Sequence, residues 1–92
     1  MAISIIRKLT EEDNRRLNAA SYRFARRWRI DTSEFNTPYE AVGLEVQYHE
    51  QLGRYGNTNM VRAWRKVFAR ALREKPCKAL ATGYGYVGFY VD

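Results

Sequence analysis

Apolar and polar residues alternate at the start of the chain, then change period. Ile3, Ile5 and Leu9 alternate with Ser4 and Lys8, broken once by Arg7, which predicts a strand from about 2 to 9. Thr10 is then a hydroxyl N-cap ahead of Glu11, Glu12 and Asp13, acids placed where the positive end of a helix dipole favours them. The helix should run from 11 to about 29, with Leu17, Ala20, Phe24 and Trp28 on one face and Arg15, Arg16, Arg23, Arg26, Arg27 and Arg29 on the remaining arc with Tyr22. Residues 30 to 36 read as a loop.

Thr37-Pro38-Tyr39-Glu40 carries the capping-box pattern with proline at the first helical position, so a second helix is expected from 38 to about 52. It has two apolar rows, Tyr39-Val42-Val46 and Ala41-Leu44-Tyr48-Leu52, which implies a helix wedged between two other elements. Gly53 can take a left-handed cap, and Arg54-Tyr55-Gly56-Asn57 a turn. A third helix, capped by Asn57, Thr58 or Asn59 and ending before Pro76, has an apolar face of Met60, Val61, Trp64, Val67, Phe68, Ala71 and Leu72, with Arg62, Arg65, Lys66, Arg70 and Arg73 on the other side. Trp28 and Trp64 are the expected core anchors. Residues 78 to 82 and 84 to 91 read as two strands joined near Gly83, with Tyr84, Tyr86, Gly88 and Tyr90 alternating with Val87, Phe89 and Val91. The expected fold is therefore α+β over residues 1–92 as one small domain: a strand, three helices and a C-terminal β-hairpin, with about three antiparallel strands packed on the helices.

Length and charge narrow the function. Ninety-two residues bury only about 60% of the unfolded surface, which leaves little room for a deep catalytic cleft and favours binding at a surface. Sixteen Lys and Arg against ten Asp and Glu give a formal charge of +6, and twelve of the sixteen are arginine, the residue suited to multidentate phosphate or carboxylate contact. A single cysteine, Cys77, excludes an intramolecular disulfide and fits a cytoplasmic setting; with His49 the only histidine, a four-ligand zinc site is excluded too. No metal or other cofactor is expected. The opening run reads as too short for a signal peptide, and no stretch reaches the length of a membrane span.

Catalytic constellations are missing. His49 reads as a satisfied core or boundary residue, Cys77 has no base placed beside it by any motif, and Glu40, Glu45 and Glu50 are spread around one helix rather than paired. The expectation is a protein that is not an enzyme and has no small-molecule substrate. The basic faces argue for an anionic partner, because like charges at i, i+3 and i+4 repel by a few tenths of a kcal/mol per pair, a cost that a merely structural helix would relieve with glutamate.

Gly83-Tyr84-Gly85-Tyr86-Val87-Gly88-Phe89 resembles the aromatic octamer of RNA-recognition motif domains, whose strand aromatics stack on exposed bases. Thr82 stands where that pattern has Lys or Arg, the first strand lacks the matching aromatic, and the helix and strand that follow the octamer in that family are not supplied here. That family's fold is therefore not implied. As a whole, with its Arg15 to Arg29 and Arg62 to Arg73 faces and its motif-poor β-α-α-α-β-β layout, the chain is similar in character to small bacteriophage anti-CRISPR proteins, a class without a shared motif. The resemblance implies an inhibitor that docks on a host CRISPR-Cas guide-RNA surveillance complex, its Cas proteins and its guide RNA, and blocks target DNA binding. Many such proteins are acidic mimics of nucleic acid. The basic charge here departs from that and favours contact with guide RNA or acidic protein patches. The alternative is an autonomous single-stranded RNA- or DNA-binding protein that uses Tyr84, Tyr86 and Tyr90 together with the basic helices.

Overall fold

Thr10 begins the first helix by a reciprocal cap. Its Oγ1 accepts from the Asp13 backbone N–H at 3.1 Å, and Asp13 Oδ2 accepts from the Thr10 backbone N–H at 3.0 Å. In the computed structural model this starts α1 (Glu11–Trp28). At the second predicted box the structure shows the Thr37 half, its Oγ1 accepting from the Glu40 N–H at 3.2 Å at the start of α2 (Pro38–Gln51). Asn57 Oδ1 accepts from the Met60 N–H at 3.0 Å and caps α3 (Thr58–Ala71). Between α2 and α3, Gly53 takes a φ of 58° and opens a 3-10 turn, Gly53–Tyr55.

Residues 2–74, 79–83 and 86–91 are described, with side chains from Arg7 to Glu74. The three helices close on one another. Leu17 and Phe24 from α1, Val42 and Val46 from α2, and Met60, Val61, Trp64 and Phe68 from α3, with Leu72 just beyond it, form the buried cluster. Aromatic rings occupy its centre: Trp64 lies 5.1 Å from Phe24 and 5.6 Å from Phe68 between centroids, both edge-on, the geometry that ring quadrupoles favour. Ala25 and Ala69, absent from the predicted stripes, are buried as well.

Three strands, β1 (Ala2–Lys8), β2 (Ala79–Gly83) and β3 (Tyr86–Val91), pair antiparallel in the order β1-β3-β2, with Ile6 opposite Gly88 and Ala81 opposite the same residue. The α+β expectation of strands forming a layer on which helices pack is nevertheless corrected. The described protein is mostly helical, and its described core is helix on helix. The physical reason is the supply of large side chains: three aromatic-bearing helices bury one another's faces without needing a sheet beneath them.

Two further expectations are corrected. α2 packs against both α1 and α3 but through one face, with Tyr39, Ala41, Val42 and Val46 turned inward, so most of its second apolar row stays outside: Leu44 and Tyr48 are 54% and 57% exposed and Leu52 is exposed too. Trp28 is only partly buried at the margin of the core, so Trp64 at 4% exposure is the anchor and Trp28 is not its equal. The readings placed on Cys77 and Tyr84, and those on the side chains of Tyr86 and Tyr90, lie outside the described residues.

Candidate functional site

The arginines of α1 divide into two rows. At about 100° per residue, Arg16, Arg23 and Arg27 fall together, and Arg15, Arg26 and Arg29 lie roughly a quarter-turn or more away beside Tyr22. In the structure the first row borders a groove of about 540 Å³ between α1 and α3, with Arg70 on the opposite bank. Its floor is small and apolar, made by Ala19, Ala20, Ala63, Val67 and Ala71, with Phe24 and Trp28 at one end. The groove therefore joins a flat apolar surface to a cationic rim, and alanine is the reason it exists: larger side chains would fill the space between the two helices.

The rim arginines are not equivalent. Arg16 is tied into the scaffold, with Nη2 donating to Asp13 Oδ1 at 2.6 Å, Nε to the Ala71 carbonyl at 2.7 Å, and Nη1 paired with Glu12 Oε1 at 3.0 Å. Arg23, Arg27 and Arg70 are exposed and meet no acidic group among the described residues. Three uncompensated guanidinium groups around one apolar floor can hold an anion that also presents a flat or apolar face.

The other expected basic residues are distributed elsewhere. Arg15 pairs with Glu12 at 3.4 Å, so Glu12 and Asp13, read from sequence as first-turn acids, also neutralise the first turn of the basic face. Arg26 stacks over the exposed Tyr22 ring at 5.9 Å. Arg62 and Arg65 line a separate depression with His49 and Glu50, and Lys66 and Arg73 are exposed outside the groove. No family model, curated protein or solved structure matches the chain.

Asp13 links Arg16, at the groove's rim, to Arg7 of β1. Its carboxylate, 1% exposed, also receives Arg7 Nη2 at 2.8 Å, while Arg7 Nη1 donates to the Leu72 carbonyl at 2.7 Å and to Glu74 Oε1 at 2.8 Å. Burial pushes the Asp13 carboxyl up, but the Thr10 backbone N–H and hydroxyl and the two guanidinium groups outweigh burial and hold it below the usual aspartate value. Sequence reading found Asp13 as a first-turn acid and missed its partners, which are six residues before it and, through Arg7, some sixty residues beyond it.

Arg29 and Arg73 share an unusual feature. Each follows a helix end in the left-handed region, at φ 56° and 59°, where glycine is the low-cost residue. The next N–H then returns to a carbonyl five residues back, Ile30 to Ala25 at 2.9 Å and Glu74 to Ala69 at 2.8 Å. α1 and α3 thus end alike, each with a cation at its negative pole.

His49 is satisfied. Its Nδ1 accepts the Asn57 N–H at 3.0 Å, which leaves the proton on Nε2, 3.2 Å from Glu45 Oε1. Among the described residues no group of three or more His, Cys, Asp or Glu could hold a metal ion, and no helix is long and apolar enough to cross a membrane.

Proposed function

We propose that the chain works by binding rather than by catalysis, and that the α1–α3 groove engages a phosphodiester strand exposed in a host nucleoprotein, with Arg23, Arg27 and Arg70 on phosphates and the alanine floor against the sugar or base. The observation that carries this reading is the grouping of three arginines, unpaired with any acid among the described residues, around one apolar groove, since an anionic ligand would relieve the repulsion between them. The resemblance to anti-CRISPR proteins supplies the complex: the guide RNA of a CRISPR-Cas surveillance complex, whose target DNA binding the protein would block.

The test is a pull-down of the tagged chain from bacteria carrying such a complex, followed by titration of the captured complex. Arg23→Glu with Arg27→Glu should weaken binding by at least about tenfold, because each reversal replaces a phosphate contact by a repulsion, while Arg62→Glu with Lys66→Glu, outside the groove, should change it little. With about three single-strand phosphates contacted, log affinity should fall with log salt at a slope of about −2. Binding that is insensitive to salt and survives the Arg23 and Arg27 reversal refutes the groove as the contact. Gel shifts with free single-stranded RNA separate the two readings: tight binding to naked RNA favours the autonomous binder over the inhibitor.

A further inference from the structure

α2 is the described helix that carries no lysine or arginine. It has Glu40, Glu45 and Glu50 in a chain of net charge +6, so its outer face is the least cationic of the three helices and the one where two copies of this protein meet with the least repulsion. That face is also apolar. Glu40, Leu44, Tyr48 and Leu52 follow one another at four-residue intervals, one row on a helix, and Tyr55, in the 3-10 turn that follows, is 79% exposed. Arg54 lies against Tyr55, its guanidinium 5.2 Å from the ring centroid and its Nη2 donating to the hydroxyl at 3.2 Å. The row therefore begins with an acid, is apolar from Leu44 to Leu52, and is followed in the next turn by the Arg54–Tyr55 pair.

We propose that this row is a two-fold contact with a second copy of the same chain. A ridge with opposite charges at its ends is self-complementary when two copies lie antiparallel with the axis near Tyr48: Leu44 then faces Leu52 of the second copy, and Glu40 comes opposite its Arg54–Tyr55 turn. The isologous arrangement satisfies both ends at once. A depression of about 890 Å³ beside the row, between Phe35, Gly43, Leu44 and Gln47 on one side and Trp64 and Arg65 of α3 on the other, leaves space for side chains of the second copy to interdigitate. The exposed fractions of Leu44, Tyr48, Leu52 and Tyr55 amount to about 450 Å² per copy if a large side chain contributes on the order of 150 to 250 Å², hence about 900 Å² for the pair when all of it is covered. That is below the roughly 1,200 to 2,000 Å² of stable specific interfaces, so the dimer is weak and concentration-dependent. It leaves both α1–α3 grooves uncovered, which makes the dimer bivalent for an anionic partner.

Sedimentation velocity of the full chain over about 5 to 500 µM tests this, spanning the affinities that an interface of this size supports. The wild type should pass from monomer to dimer across the range. Tyr48→Glu, at an exposed position, should melt with the wild type and weaken the dimer by at least about tenfold. Arg54→Glu alone should weaken it as well, and adding Glu40→Arg should restore it. A wild type that stays monomeric throughout, a dimer unchanged by Tyr48→Glu, or a charge swap that fails to restore association each overturns the proposal.

Discussion

Replacing Asp13 by Asn removes one charge and keeps the shape. The amide oxygen can still accept the Thr10 N–H, so the cap survives and what is lost is the carboxylate between Arg7 and Arg16, at 2.8 and 2.6 Å. Removing one partner of a fully buried ion pair costs about 3 to 5 kcal/mol, and an exposed pair contributes about 0 to 1. Asp13 itself is out of water, but the two arginine side chains are 28% and 26% exposed and retain part of their hydration, so about 2 kcal/mol is the expected loss. In a domain of this size that lowers the melting temperature by on the order of 10 °C. The pH dependence carries the sharper test. The folded-state pKa of Asp13 lies below its unfolded value of about 3.9, so its contribution is complete above that pH and is lost as pH falls through the folded pKa. Urea unfolding of both proteins from about pH 7 to pH 2 should show a gap that is constant at neutral pH and closes below about pH 4, where the wild-type carboxyl becomes protonated and resembles the amide. A gap that persists undiminished at pH 2, or no gap at pH 7, refutes the assignment of this stability to the Arg7–Asp13–Arg16 charges.

Trp64→Ala should cost about 3 to 5 kcal/mol, whereas Trp28→Ala, truncating a partly buried ring, should cost about half as much or less; thermal melts that rank them the other way would show that the core is centred elsewhere. Gly56→Ala should destabilise by about 1 to 3 kcal/mol, because a Cβ there would collide with the His49 carbonyl, while Gly43→Ala, with open space around it inside α2, should stabilise by about 0.5 to 1 kcal/mol; the two variants moving in the same direction in urea unfolding would contradict the packing of the α2–α3 turn.

The local grammar of the helices was written in the chain. Thr10, Thr37 and Asn57 are side chains that satisfy backbone N–H groups within three residues, and the acids of the first turn of α1 act over the same distance, so starts and periods can be read without knowing the rest of the molecule. What lay beyond that range was decided in three dimensions. The period of α2 shows two apolar rows, and nothing local says which one is covered. α1 and α3 present enough aromatic surface to close the core against Val42 and Val46, which leaves Leu44 and Tyr48 outside. The same closure changed the fold class, because the strand-like segments are legible by alternation but their place relative to the helices depends on what the helices bury between themselves. Charge followed the same rule. Arginines that share one broad face in the sequence were sorted by their long-range partners: Arg16 was drawn to Asp13 and to the Ala71 carbonyl, Arg7 was carried from β1 to the end of α3, and Arg23, Arg27 and Arg70 were left facing one groove because alanines from two helices meet beneath them. Hydrogen bonds and ion pairs act at about 3 Å, and only folding brings residues some sixty positions apart to that distance.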